Sequence, residues 1–174
     1  PEKCMATFEV TGGRKLKGTI YPQGAKNEAL QVISAVLLTP DKITIHNIPE
    51  IQDVLNLIQL LNNLGVETRK IKQGSWSFKA SNINLDFLET NEFKDYSKRL
   101  RGSVMIIGPL LARFGQAYMP QPGGDKIGRR RLDTHFNGLS KFGASIDYDQ
   151  KKSAFSIQGK NLKGTFILLE EASV

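Results

Sequence analysis

The stretch Lys26-Asn-Glu-Ala-Leu-Gln-Val-Ile-Ser-Ala-Val-Leu-Leu38, stopped by Pro40-Asp41 and followed by Ile43-Thr-Ile-His46, decides how the chain folds. Its first part is apolar on most faces of a helix, which predicts a helix buried on several sides. Pro40 ends that helix, and the alternation from Ile43 predicts a strand. Ile51, Val54, Leu55, Ile58 and Leu61 then recur at helical spacing, and Gly65 follows as a C-terminal cap. Residues 66–72 and 75–80 flank Gln73-Gly74, a hairpin signal. The predicted order is helix, strand, helix, hairpin.

Residues 99–158 repeat that order. A helix over 103–114 puts Val104, Ile107, Leu111 and Phe114 on one stripe, Gly115 ends it, and Gln116–Pro120 fills the strand slot. Leu132, Phe136 and Leu139 give the next helix a buried face ahead of Gly143. Residues 144–148 and 153–157 then form a hairpin around Asp149-Gln-Lys-Lys152. Leu37-Leu38 aligns with Leu110-Leu111, 73 residues on, and Leu64-Gly65-Val66 with Phe142-Gly143-Ala144, 78 residues on. Two copies of one α/β unit are expected. Residues 82–97, acidic and aperiodic, read as a linker between them. Residues 8–21 read as two short strands around Gly12-Gly13, and residues 165–169 as another strand. No third unit closes before Val174, which reads as a piece of a longer protein.

The chain has 174 residues, 24 Lys plus Arg against 17 acids, and a formal net charge of +7. That balance draws phosphorylated small molecules or polyanions. Aromatics make up only 8% and mostly sit in core-like patterns, which argues against nucleic acid. Cys4 is the single cysteine, so no intramolecular disulfide framework is possible, and two histidines leave little for a zinc site. The longest apolar run, 32–38, is far short of a membrane span. A cytoplasmic protein without metal or cofactor is expected.

Three basic sites lie beside glycines or at helix starts. Gln23-Gly-Ala-Lys-Asn27 opens the first helix, where backbone N–H groups, a lysine and an asparagine suit an anion. The same spacing fits a merely solvated lysine, and the P-loop pattern is absent. Pro122-Gly-Gly-Asp-Lys-Ile-Gly-Arg-Arg-Arg-Leu-Asp133 crowds four basic residues around Asp125. Arginine forks match phosphate and carboxylate oxygens, and Asp125 can give or take a proton. An exposed basic loop in which Asp125 only balances charge fits equally. Lys98-Arg-Leu-Arg101 reads as opening a buried helix, where cations oppose the helix dipole and an anion or solvent would offset them. His46, His135 and Trp76 read as structural, Trp76 being the counterpart of Phe155.

The segments Phe8-Glu-Val-Thr-Gly-Gly-Arg-Lys-Leu-Lys-Gly18, Gly24-Ala-Lys-Asn27, Asn47-Ile-Pro49, Asp53-Val54, Arg101, Gly108-Pro-Leu-Leu-Ala-Arg-Phe-Gly115, Pro122-Gly-Gly124, Ile127-Gly128 and Asp133-Thr-His135 resemble one family across nearly the whole chain. It is the UDP-N-acetylglucosamine 1-carboxyvinyltransferases, enolpyruvyl transferases that start bacterial peptidoglycan synthesis. The resemblance implies an inverse α/β barrel of two domains, each built from three repeats with helices inside. Residues 1–22 would be opening strands of the other domain, 23–97 the first repeat and linker, and 98–174 the second repeat and the start of the next.

Roles follow from the same resemblance. Lys26, Asn27 and Arg130 would bind phosphoenolpyruvate. Arg101, Arg130, Arg131, Leu132, Asp133, Thr134, Ser173 and Val174 would bind UDP-N-acetylglucosamine, although Glu171 stands where relatives often carry lysine. Asp125 falls where many relatives place a cysteine, the proton donor to C3 of phosphoenolpyruvate. A carboxyl can fill that role only if its pKa rises well above the ordinary value of about 3.9. Nearby arginines oppose such a rise and a bound phosphate dianion favours it. Fosfomycin, which alkylates the cysteine, is expected not to inactivate this enzyme. The partners implied are the two small substrates and the missing C-terminal half, without nucleic acid or membrane. The chain alone is expected to be inactive. A non-catalytic module binding UDP-sugar or phosphate is the competing reading.

Overall fold

A computed structural model of the chain describes residues 7, 9–121 and 132–168. The first unit runs α1 (Lys26–Ala35), a 3-10 turn (Val36–Leu38), β1 (Lys42–Ile45), α2 (Gln52–Asn63), β2 (Glu67–Lys72) and β3 (Ser75–Lys79). A 3-10 turn (Leu85–Glu89) and α3 (Asn91–Arg99) follow. The second unit has a 3-10 turn (Arg101–Ile106), α4 (Ile107–Phe114), β4 (Gln116–Pro120), α5 (Asp133–Lys141), β5 (Ser145–Asp149) and β6 (Ala154–Gln158).

Each unit makes a three-stranded antiparallel sheet with the last hairpin strand in the middle, in the orders β1-β3-β2 and β4-β6-β5. The registers correspond. Ile43, Phe78 and Thr68 align across the first sheet as Ala117, Ile157 and Ile146 do across the second. Trp76, between Ile45 and Lys70, matches Phe155, between Met119 and Tyr148, and both rings are half-buried against the core.

The same cap closes α2 and α5. Gly65 (φ 106°) and Gly143 (φ 102°) take the left-handed conformation. The Val66 and Ala144 amides reach back to the Leu61 and Leu139 carbonyls at 2.9 and 3.1 Å. The glycine amides bond Asn62 and Ser140 at 3.0 and 2.9 Å. These are the two hydrogen bonds of a Schellman motif.

One apolar core serves both units. Ile33, Leu37, Leu57, Leu60, Leu61, Leu64 and Phe78 are fully buried with Ile106, Leu110, Leu111 and Met119. Gly102 lies against Leu30 of α1, and the Arg113 guanidinium donates from Nη1 to the Leu37 and Ala80 carbonyls at 3.0 and 2.8 Å. No helix among the described residues is long and apolar enough to cross a membrane.

Several expectations need correction. Residues 82–97 are not a passive linker, because Phe87, Leu88, Phe93 and Ser97 are buried. Thr90 caps α3 by accepting from the Phe93 amide at 3.2 Å, and the Phe87 and Phe93 rings meet edge-on at 5.8 Å. A few bulky side chains anchor this segment without a continuous stripe, so periodicity missed it. Lys98 and Arg99 lie in the last turn of α3, where cations suit the dipole; they do not open the next helix. The helix expected from Ser103 is 3-10 until Ile107. The α5 face of Leu132, Phe136 and Leu139 is only half-buried. His46 lies one residue past β1, with Nδ1 3.1 Å from the Ser75 hydroxyl, and His135 is exposed on α5.

The described residues of 9–21 and 165–168 form no strand. Val10, Leu16, Ile20, Tyr21, Phe166 and Leu168 are 75% to 97% exposed. Their alternation is strand-like, but no strand within the described residues pairs with them, and a strand needs a ladder.

Candidate functional site

The first basic site is built where α1 and α2 begin. Ala25 is extended and supplies no side-chain cap, so the first-turn N–H groups of α1 have no capping side chain. Gly24 lies so close to the Asn47 carbonyl oxygen that a Cβ there would collide with it. Only glycine lets the two backbones approach in this way. Asn47 itself has φ 58°, turning the chain out of β1 into the strap that leads to α2.

The strap is pinned from its far side by the first hairpin. The Ile48 amide donates to the Gly74 carbonyl at 2.9 Å, and the Gly74 amide donates to Glu50 Oε1 at 3.0 Å. Glu50 Oε2 accepts from Lys70 Nζ at 2.7 Å. These bonds to Lys70 and then Gly74 hold the Glu50 carboxyl below its ordinary pKa. The strap delivers Asp53 to the first turn of α2, where the dipole favours a carboxylate. Asp53 Oδ2 meets Lys26 Nζ at 2.9 Å.

Lys26 and Asn27 are therefore exposed neighbours at an uncapped helix start, with Asp53 beside the ammonium. Arg101 is half-buried next to Gly102, which packs on Leu30 one turn along α1 from Lys26. Leu132, Asp133 and Thr134 stand in the second unit, Leu132 just ahead of α5 and the other two in its first turn. Arg101, Asp133 and Thr134 are each engaged in further contacts. Asp125, Arg130, Arg131, Ser173 and Val174 lie outside the described residues, as do Cys4 and Glu171. Sequence reasoning assigned no role to Asp53 or Glu50. A usable signal for Asp53 was its acid at the second position of a helix that follows a strand and strap.

This arrangement can receive a small anion at the start of α1, from backbone N–H groups, an ammonium and an amide. The family model of EPSP synthase (3-phosphoshikimate 1-carboxyvinyltransferase) matches residues 10–174. The chain belongs to that family. Its relatives include the UDP-N-acetylglucosamine 1-carboxyvinyltransferases of Bacteroides fragilis and Porphyromonas gingivalis. The first is 54% and the second 51% identical over 170 residues, 98% of this chain and 39% of each of those proteins. That of Treponema denticola is 40% identical over 171 residues, 98% of this chain and 38% of that protein. The chain thus spans about two fifths of the length of the curated relatives it matches.

Solved enolpyruvyl transferases share the fold. The enolpyruvyl transferase NikO from Streptomyces tendae superposes with TM-score 0.63 at 17% identity, over 87% of this chain and 32% of that one. The EPSP synthase of Acinetobacter baumannii superposes with TM-score 0.55 at 17% identity, over 90% of this chain and 35% of that one. The described residues make two small sheets with their helices, an α/β arrangement in keeping with part of an enolpyruvyl transferase domain.

Proposed function

We propose that the enzyme to which this chain contributes transfers the enolpyruvyl group of phosphoenolpyruvate to the 3′-hydroxyl of UDP-N-acetylglucosamine and releases phosphate. The observation that carries this reading is the 54% identity, over 98% of the chain, to a UDP-N-acetylglucosamine 1-carboxyvinyltransferase. The placement of Lys26 and Asn27 at the uncapped start of α1 supports it.

In this reading Lys26 and Asn27 meet the phosphate and carboxylate of phosphoenolpyruvate, with Arg130 facing the same substrate. Arg101, Arg130, Arg131, Leu132, Asp133, Thr134, Ser173 and Val174 hold the UDP-sugar. Asp125 gives a proton to C3 and C2 becomes cationic. The 3′-hydroxyl adds to C2 and loses its proton to a base. Loss of phosphate from C2 and of a proton from C3 then restores the enol ether. Residues beyond the two fifths spanned here complete the site, the inverse barrel and its domains, so this stretch alone does not turn over. The reaction belongs to cytoplasmic peptidoglycan synthesis.

The test is intact mass of the expressed gene product, followed by phosphate release with both substrates. A mass more than twice 19.3 kDa with release dependent on both substrates is the expected outcome. A product of 19.3 kDa that binds UDP-N-acetylglucosamine without release overturns the reading in favour of a binding module.

A further inference from the structure

We propose that Asp53 is a positioning residue for phosphoenolpyruvate: it holds the Lys26 ammonium at the start of α1 so that its remaining donors face the ligand. This rests on the reading of Lys26 as a phosphoenolpyruvate-binding residue. A lysine side chain is a flexible four-carbon stem that loses much rotamer freedom when held at one point. Its ammonium has three N–H donors. Here one of them is spent on Asp53 Oδ2 at 2.9 Å, across 27 residues of sequence. Two are left for a phosphate or carboxylate.

The geometry distinguishes this pair from an ordinary surface ion pair, whose partners wander and whose worth is small. Both backbones are fixed. Gly24 is packed on the Asn47 carbonyl, which sets how α1 starts relative to the strap. The strap is tied at Ile48 and Glu50 to the hairpin turn at Gly74. Asp53 is then the second residue of α2, its carboxylate at the positive end of that helix.

The charges form a chain. The α2 start favours the Asp53 carboxylate, and the carboxylate holds the ammonium. The ammonium sits at the α1 start, where the dipole alone would repel it. An anion arriving at α1 finds the cation already in place. With both side chains partly open, at 46% and 40% exposure, the ammonium can serve Asp53 and a ligand together.

The experiment uses the full-length enzyme and steady-state phosphate release, varying each substrate in turn. Asp53→Asn keeps the size of the side chain and removes its charge. The expected result is a KM for phosphoenolpyruvate raised about fivefold, the scale of a well-held exposed ion pair. KM for UDP-N-acetylglucosamine stays at the wild-type value, and the melting temperature falls by no more than a few degrees, the loss of one charge at a helix start. Asp53→Glu recovers part of the loss. In a Lys26→Met background Asp53→Asn changes kcat/KM no further, because the group it positions is gone. An unchanged KM for phosphoenolpyruvate in Asp53→Asn overturns the proposal. So does an equal rise in both KM values, or the same fold loss with and without Lys26. Wild-type enzyme that releases no phosphate fails at the first step, and overturns the proposed function and this inference together.

Discussion

Glu50 touches no proposed ligand, yet it joins the hairpin turn to the strap that carries Asp53. Its carboxyl is held below the ordinary pKa by Lys70 and the Gly74 amide, so the folded state binds its proton more weakly than the unfolded chain. The stability it contributes is fully present above the unfolded glutamate value, about 4.3. It is lost as pH falls through the lower folded value. Glu50→Gln should lower the melting temperature at pH 7, and the gap to wild type should close on acidification towards pH 3. Thermal melts of both proteins across that range check this, and a constant gap would contradict it. Asp125 carries a different prediction, which rests on the proposed function. If Asp125 takes the place of the thiol in the proposed reaction, fosfomycin should leave the wild-type mass unchanged, and Asp125→Cys should gain one adduct in intact-mass analysis.

At the scale of elements, the two units use one design with unequal tolerances. Gly65 and Gly143 share a left-handed φ and a Schellman cap, but their surroundings differ. A Cβ at Gly65 would collide with the Asn82 carbonyl, whereas at Gly143 it would meet the Asn161 oxygen at an ordinary 3.6 Å. Gly143→Ala should cost only backbone strain, about 1 kcal/mol. Gly65→Ala should cost distinctly more, because backbone must move as well, and urea melts of the two variants give the comparison. Thr90 is the other test. Its hydroxyl oxygen accepts from the Phe93 amide and its hydroxyl donates to the Phe87 carbonyl at 2.7 Å. Thr90→Ala should destabilise by about 1 kcal/mol, measured the same way. A passive linker would show no loss.

Across the whole molecule, α4 of the second unit is locked to the first through Arg113, and apolar side chains stay uncovered at both ends of the described chain. Val10, Leu16, Ile20, Tyr21, Phe166 and Leu168 are exposed outside any strand, an apolar surface that invites association. Residues 1–174 expressed alone should self-associate, with apparent mass rising with concentration in analytical ultracentrifugation. A concentration-independent monomer would show that these segments fold back. Helices, strand slots, glycine caps and hairpins were legible from the order of residues, because periodicity and turn chemistry are local. So was the twofold repeat, since its landmarks recur at nearly constant spacing. The family followed from short glycine-rich and basic motifs. The buried 82–97 segment was not legible, because three scattered aromatic and aliphatic anchors, Phe87, Leu88 and Phe93, leave no period to read. Nor was it legible that the described residues of 9–21 and 165–168 form no strand, because alternation names a strand and only a neighbour can supply its hydrogen bonds. The sequence by itself determined that Lys26 and Asn27 open α1, because helical periodicity is a local signal. Only the tertiary structure decided that Asp53 stands beside Lys26, since a contact across 27 residues depends on how closely Gly24 lets two backbones approach.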